Sequence, residues 1–227
     1  MASLSYNYYL GILLAVATPV LSFFCIREAT KQNSERLFIF RPATMIVIIL
    51  LAIVAPYPAS VYFKGAIICG MLVALMGDSL MMLPGTPFVV GIVTFSIMAL
   101  LYLFGFAYEA SLQIPSPVVV LIILYAIFYY RAISSFLGEY WFPSIVFLVL
   151  LSLMTWQALQ VFVQTWAMWS AFGLLSTVLL STSASIFGLH YFRGRMKGDR
   201  LLLTLSYHAG QWLLALSVWG DGLNPFA

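Results

Sequence analysis

Apolar residues dominate this chain in long runs, and short polar, Pro or Gly stretches separate one run from the next. A run of about 20 apolar residues can cross the hydrocarbon core of a bilayer as an α-helix, and somewhat shorter runs suffice inside a bundle. The pattern therefore predicts eight transmembrane helices, over residues 8–26, 38–55, 65–83, 87–107, 117–130, 143–161, 166–191 and 201–219.

Composition supports this interpretation. Charged residues make up 7% of the chain and its mean hydropathy is +1.05, whereas soluble domains carry roughly 25% charged residues. We therefore predict an all-α polytopic membrane protein in which residues 1–227 form a single transmembrane domain, with the bilayer as its surroundings. The net charge of +3 is too small to suggest a nucleic-acid partner, so we expect none.

The basic residues predict an orientation. Of the 10 Lys and Arg residues, all but Lys64 fall in the loops that follow odd-numbered helices. Because cytoplasmic loops are rich in Lys and Arg, both termini are predicted to lie on the non-cytoplasmic side. The division between helices six and seven is the weakest in the pattern, but merging them would move the basic residues near Arg193 to the opposite side. Residues 1–9 contain no Lys or Arg, so we expect the first run to be a retained helix rather than a signal peptide.

Prolines are predicted to mark helix boundaries. Pro42, Pro87, Pro117 and Pro143 stand at predicted helix starts, where the missing amide hydrogen costs little. Pro19 lies within the first helix and is expected to kink it. The loops are too short for an extramembrane catalytic domain, so any chemistry is expected within the bundle or at its rim.

Asp78 is the one acidic residue that lies well within an apolar run, and a carboxyl group in hydrocarbon is a functional-site hypothesis by default. Alternating helix directions place it in the inner half of helix three, level with Arg41 and with the hydroxyl groups around Ser183. Tyr207 and Gln211 reach the same level from helix eight, where residues four apart share a face. The sequence thus predicts a polar layer near the inner side of the bundle.

Each of the other polar residues also has a structural interpretation. The Thr182 and Ser185 hydroxyls are expected to bond back to their own helix, as is common in membrane helices. For Arg41, anchoring at the interface and a role in a site both stay open. His190 and His208 are expected to be interface or bundle residues. Since no set of side chains has metal-ligand spacing, we expect neither a metal nor another cofactor.

These residues and their order resemble those of the YhhN family of integral-membrane lysoplasmalogenases. The resemblance begins with the basic-Pro pair Arg41-Pro42 and with Gly77-Asp78 followed by apolar residues. It continues through helices four, six and eight, at Phe88, Gly91, Phe95, Tyr102, Pro143, Met154, Ala158, Tyr207, Gln211, Ala215 and Ser217. It covers nearly the whole chain and the same eight-helix plan.

The chain departs from the family pattern at three places. Ala99 stands where the family has His, and Ser183-Ala184 stands where it has Ser-Asp. Ser176-Thr177 replaces a Gly-Ala pair. The chain keeps the Asp of the family's Gly-Asp pair, which is Asp78 here.

The resemblance implies hydrolysis of the vinyl ether of a lysoplasmalogen to a fatty aldehyde and a glycerophospho-base. The substrate would be a lysophospholipid or another single-chain lipid. Asp78 would protonate the alkene, a step that burial assists because it disfavours the charged carboxylate. Tyr207 and Gln211 would complete the catalytic set, and Arg41, Tyr102 and Ser183 would bind substrate, with Arg41 on the phosphate.

Two alternatives stay open from the sequence, and a third, a transporter, lacks its expected signal. The chain would act as a lipid-binding or structural protein if catalysis is lost with the His and Asp of the family pattern. It would act as a subunit of a larger membrane complex if other proteins cover the aromatic faces around Trp156, Trp166 and Trp169. A transporter is expected to show two halves with matching broken helices, and the sequence contains no such repeat.

Overall fold

The structure is a computed structural model that describes residues 2–31, 34–56, 59–83, 85–110, 118–194 and 198–220. Within these ranges it is helical throughout, which confirms the predicted all-α bundle of eight helices. The helices are α1 (Ala2–Thr30), α2 (Ser34–Ile53), α3 (Val61–Met82), α4 (Phe88–Glu109), α5 (Val118–Ile133), α6 (Trp141–Thr165), α7 (Met168–Arg193) and α8 (Asp199–Ser217). Two short 3₁₀ turns, Ser134–Phe136 and Gly138–Tyr140, join α5 to α6.

Within the residues described, 7 helices, α1 to α7, are long and apolar enough to cross a membrane. Large apolar side chains such as Leu13, Phe23 and Phe128 point outwards from them and are more than 60% exposed, as suits a surface that faces hydrocarbon. Helix α8 is more polar than the others, but its Thr204, His208 and Gln211 side chains are buried in the bundle. The chain is therefore a multi-pass membrane protein whose last helix turns its polar groups inwards.

The second helix begins earlier than predicted. It starts at Ser34, so Pro42 lies inside α2 and its predicted place at a helix start is wrong. Pro42 has no amide hydrogen to donate to the carbonyl of Phe38, while the Thr44 hydroxyl donates to the carbonyl of Phe40 at 2.7 Å. Arg41 is consequently held on a continuous helix, two turns in from its start.

Pro87 and Pro143 agree with prediction, and Pro19 lies within the first helix as predicted, where its kink stays a prediction. Pro87 is the residue before α4, Pro143 lies in the first turn of α6, and Pro19 lies inside α1. Pro117 lies outside the described ranges, and so do Arg195 and Lys197, on which the predicted orientation partly rests.

Helices α6 and α7 are separate, as the charge pattern predicts. The helix ends at Thr165, and Trp166 adopts a left-handed conformation with φ of 49° that turns the chain. The amide of Trp166 donates to the carbonyl of Phe162 at 2.8 Å, and the Thr165 hydroxyl donates to the Ser170 hydroxyl at 2.7 Å. These bonds satisfy polar groups that a break in a membrane helix would otherwise expose.

The helices form a ring by their contacts. Neighbours pack in the order α1, α2, α3, α4, α6, α7 and α8, and α8 returns to contact α1. Helix α5 stands outside this ring against α6 and α7, while α8 also reaches across to α2 and α3. This last arrangement brings α2, α3 and α8 together around Asp78.

A glycine allows a close contact between α3 and α4. A methyl group on Gly70 of α3 would lie 2.6 Å from Cδ1 and 3.2 Å from Cζ of the Tyr102 ring on α4. Only a residue without a side chain therefore lets the fully buried Tyr102 ring pack this closely against α3. The packing of α3 on α4 fixes Tyr102 in the core.

Candidate functional site

Asp78 lies at the meeting point of α2, α3 and α8, and its side chain is 0% exposed. Nη2 of Arg41 is 2.8 Å from its Oδ1, and the Tyr207 hydroxyl donates a hydrogen bond to its Oδ2 at 2.7 Å. A buried carboxyl group is tolerated only with a cation or hydrogen-bond donors beside it, and these two residues provide both. Three residues predicted to share a level are thus in direct contact.

Arg41 and Tyr207 also contact each other. The Arg41 guanidinium lies over the Tyr207 ring, 5.4 Å from its centroid, in the geometry of a cation–π contact. The ring in turn meets Phe95 edge to face, at a centroid distance of 6.4 Å. The two contacts hold the Tyr207 hydroxyl in position above the carboxyl group.

Two polar atoms of this cluster are left with hydrogen-bonding capacity. Nε of Arg41 and Oδ1 of Asp78 form no aligned hydrogen bond with any residue the structure describes, although Oδ1 is in close ionic contact with Nη2. Buried polar atoms of this kind usually have a partner, and a water or ligand is the usual explanation where the protein provides none.

A cavity of about 90 Å³ adjoins the cluster. Arg41, Asp78, Ser183 and Tyr207 contribute to its polar part. Most of the remaining wall is hydrocarbon, including Phe88, Ile92, Phe95, Phe147, Leu148, Leu151, Leu180, Phe187 and Phe192. A few convergent polar groups in an otherwise apolar pocket are typical of sites for small apolar or amphiphilic ligands.

Helix α7 supplies the part of this wall where the chain departs from the family pattern. The Ser183 hydroxyl donates to the carbonyl of Leu203 on α8 at 3.1 Å, which ties the two helices together. Ala184 also lines the cavity, so the position that holds Asp in the family pattern faces the cavity as a methyl group here. Ala99 is fully buried and is not part of the lining.

Tyr102 and Gln211 form a separate pair behind the cavity wall. The Tyr102 hydroxyl donates to Oε1 of Gln211 at 2.8 Å, and Nε2 of Gln211 points to Sδ of Met98 at 3.7 Å. Both side chains are 0% exposed and neither lines the cavity, whereas Met98 does. The pair therefore reaches the cavity through the side chain of Met98.

The hydroxyl groups of Thr182 and Ser185 on α7 bond back to their own helix, as expected. Thr182 bonds back to the carbonyl of Val178 at 2.8 Å, and Ser185 bonds back to the carbonyl of Ser181 at 2.9 Å. Ser185 has a second partner that sequence reasoning missed, the hydroxyl of Tyr125 on the peripheral helix α5.

A second cavity, of about 380 Å³, opens where α1 and α7 end and α2 and α8 begin. We call it the vestibule, and it is lined by Ala29, Leu37, Arg41, Phe187, His190, Arg200, Leu203 and Thr204. Nδ1 of His190 lies 2.5 Å from Oδ2 of the buried Asp199. Sequence reasoning missed this pairing because it treated the basic connection between helices seven and eight as a signal of orientation alone.

No three His, Cys, Asp or Glu side chains come close enough to hold a metal ion in the parts of the chain that the structure describes. The burial of two tryptophans bears on the alternative that the chain is a subunit of a larger complex, which expects their faces to be covered by other proteins. Trp169 is buried inside the chain, 5.8 Å from the Phe63 ring, whereas Trp166 is 75% exposed.

Comparison with known proteins places the chain in a family. Three relatives, each described as an uncharacterized membrane protein YhhN, occur in Escherichia coli O6:H1, Escherichia coli O157:H7 and Shigella flexneri. Each is 31% identical to this chain over 189 residues, which cover 80% of the chain and 86% of the relative. No solved structure shows significant similarity. The YhhN family profile matches residues 37–218, which include every residue of the Asp78 cluster, and the chain therefore belongs to the YhhN family.

Proposed function

We propose that this protein is a membrane hydrolase that cleaves the vinyl ether of a lysoplasmalogen, giving a fatty aldehyde and a glycerophospho-base. The observation that carries the proposal is the buried Asp78 carboxyl group, held by Arg41 and Tyr207 at the polar end of an apolar cavity. A single-chain lipid has the matching chemical character, with a hydrocarbon chain for the apolar wall and polar groups next to the bond to be broken.

In the resting protein Asp78 is the carboxylate that pairs with Arg41, so the reaction begins after this carboxylate has taken up a proton. Asp78 delivers that proton to the outer carbon of the alkene, which leaves an oxocarbenium ion next to the restored carboxylate. The carboxylate stabilises this cation and then takes a proton from the water that adds to it. The product of this addition is a hemiacetal. Its collapse breaks the carbon–oxygen bond, moves one proton to the departing glycerol oxygen and returns the catalyst to its first state. Overall, one water molecule is consumed.

Tyr207 and Arg41 are proposed to act through Asp78. The Tyr207 hydroxyl fixes Oδ2 by its hydrogen bond. Oδ1 contacts Nη2 of Arg41 but accepts no aligned hydrogen bond, so a lone pair of Oδ1 is proposed to exchange the proton with the substrate. Arg41 balances the negative charge that appears on Asp78 after proton transfer, because its Nη2 is already within 2.8 Å of Oδ1. Preorganised charges of this kind need no rearrangement during the reaction.

The remaining predicted site residues take different roles in this proposal. Ser183 borders the ligand but uses its hydroxyl to hold α7 to α8. Tyr102 and Gln211 position Met98 from behind the wall, so we propose that they shape the cavity rather than contact the reacting bond. We also propose that the basic end of the bundle faces the cytoplasm, with both termini on the other side.

The test is aldehyde release by purified protein in detergent or lipid nanodiscs. The alkenyl lysophospholipid should yield aldehyde, and the acyl lysophospholipid with the same headgroup and chain length should yield neither aldehyde nor fatty acid. Hydrolysis of the ester, or absence of aldehyde at every protein concentration, would contradict the proposal.

A second candidate is a lipid-binding protein without turnover. It is favoured by Ala184, which puts a methyl group on the cavity wall where the family pattern has an acid. In that case the protein would bind alkenyl and acyl lysophospholipids with similar affinity and release no aldehyde from either.

A further inference from the structure

We call the cavity of about 90 Å³ beside Asp78 the main cavity. It and the vestibule share part of their walls. Arg41, Phe187 and Leu203 line both of them. The main cavity is largely apolar, whereas the vestibule opens at the end of the bundle that holds the α1–α2 and α7–α8 connections. A molecule with one apolar and one polar end could therefore occupy both spaces at once.

Basic side chains line the vestibule. Among the residues that the structure describes, its lining includes Arg41, Arg200 and His190 and no Asp or Glu. The Asp199 carboxylate, which is 6% exposed, contacts two of the lining residues. Its Oδ2 contacts His190 and its Oδ1 accepts a hydrogen bond from the amide of Arg200 at 2.6 Å, so Asp199 supports the lining from behind.

Of the two arginines, Arg200 is the better placed to meet a ligand. The charge of Arg41 is already matched by Asp78 at 2.8 Å, whereas Arg200 is half-buried at the start of α8 and lines the vestibule. A planar guanidinium presents two parallel N–H groups that fit two oxygens of a phosphate. Arg200 is therefore better placed than Arg41 to make the phosphate contact that the sequence suggested for Arg41.

We propose that the vestibule binds the phosphate of a single-chain phospholipid, with Arg200 and His190 as its ligands, while the hydrocarbon chain of the same molecule lies in the main cavity. This assignment rests on the proposed function for the position of the chain, and it adds a recognition site for the headgroup. It explains how the reacting bond, which lies between chain and phosphate, is brought to the shared wall beside Asp78.

The experiment measures binding rather than turnover. Purified wild-type protein in a non-ionic detergent is incubated with radiolabelled lysophosphatidylcholine, an acyl lipid that has no vinyl ether, and the label is displaced by three unlabelled competitors. These are lysophosphatidylcholine itself, the monoacylglycerol of the same chain, which lacks phosphate, and glycerophosphocholine, which lacks the chain. Inorganic phosphate at the same concentrations serves as a fourth arm.

We expect lysophosphatidylcholine to compete at least about tenfold better than the monoacylglycerol, because a charge-assisted phosphate contact is lost with the headgroup. Glycerophosphocholine and phosphate should displace little label. Equal competition by lysophosphatidylcholine and the monoacylglycerol would overturn the proposal without any variant. Displacement by free phosphate as strong as that by the lipid would assign the vestibule to a soluble anion and would also overturn it.

Variants locate the contact. Arg200→Gln should remove most of the preference for the phosphate-bearing lipid, and Arg200→Lys should retain part of it because the charge remains. Arg193→Gln is the matched control, since Arg193 lies near the same end of the bundle but over the Phe136 ring, 5.5 Å from its centroid, and does not line the vestibule. A preference unchanged in Arg200→Gln, or lost equally in Arg193→Gln, would contradict the assignment. Because no step of this assay depends on aldehyde release, failure of the hydrolase proposal and failure of the phosphate site give different results.

Discussion

The Tyr207 hydroxyl donates a hydrogen bond of 2.7 Å to Oδ2 of Asp78 and so joins α8 to α3 across 129 positions of sequence. Tyr207→Phe removes this donor and keeps the ring that lies under Arg41. If the proposed mechanism is right, aldehyde release should fall by roughly 10- to 100-fold, since a donor aimed at a catalytic group contributes on that scale. Tyr9→Phe is the control, because Tyr9 is 71% exposed on the outer surface of α1. An equal effect of the two substitutions would argue against a specific role for Tyr207.

Asp78→Asn keeps the size of the side chain and removes its ability to exchange a proton. We expect aldehyde release to fall by about 100-fold or more, because this group is proposed to serve as both acid and base. Lysophosphatidylcholine binding should persist, since the cavity is unchanged in shape. Glu139→Gln makes the same chemical change at an exposed residue between α5 and α6 and should leave the rate unchanged. Full activity in Asp78→Asn would disprove the mechanism.

The ion pair between Arg41 and Asp78 should show coupling in protein stability. Arg41→Gln or Asp78→Asn alone leaves one buried group without its charge partner and should lower the free energy of unfolding by about 3 to 5 kcal/mol. The double substitution should cost clearly less than the two single costs added together, because neither charge is then left unpaired. Unfolding in detergent, followed by circular dichroism, gives the three values. Simple additivity would mean that the two side chains do not interact in the membrane protein.

Gly70 and Gly65 provide a matched pair on α3. Gly70→Ala places a methyl group against the Tyr102 ring and should lower the free energy of unfolding by about 1 to 3 kcal/mol, since the surrounding core must shift. Gly65→Ala meets nothing within 4 Å and should cause no loss. The same detergent unfolding assay compares them. A Gly70→Ala protein as stable as wild type would show that Tyr102 is less tightly held than its burial indicates.

Ala184 tests the cavity itself. Ala184→Phe adds a ring to a residue that lines the main cavity and should weaken binding of a long-chain lysophospholipid by at least about tenfold, with a smaller effect on short-chain lipids. Val178→Phe places the same ring on the outer face of α7, where Val178 is 44% exposed, and should leave binding unchanged. Binding is measured by displacement of radiolabelled lysophosphatidylcholine. Equal effects at both positions, or none at Ala184, would show that the lipid chain lies elsewhere.

Much of the site follows from sequence because a charge in a membrane helix has few acceptable surroundings. The position of Asp78 in an apolar run, together with alternating helix directions, predicts Arg41 and Tyr207 at the same level, and the structure places all three in contact. The predicted start of the second helix was wrong, because α2 begins at Ser34 and continues through Pro42. A proline is tolerated inside a membrane helix when neighbouring groups satisfy the backbone, so Pro42 marks no boundary there.

The sequence by itself determined the class of protein, the number of helices and the residue around which the site is built, because hydrocarbon demands long apolar helices and leaves an intramembrane carboxyl group conspicuous. Only the tertiary structure decided which polar residues face a cavity and which lie behind its wall. Tyr102 and Gln211 are polar residues of the kind found in sites, but they bond to each other behind the wall. Arg200 and His190 line a vestibule that no local sequence pattern indicates. The physical reason is that helix rotation and the order of helices around the ring depend on packing over the whole bundle, as at Gly70 and Tyr102. Periodicity along one helix carries no information about which neighbour it will meet.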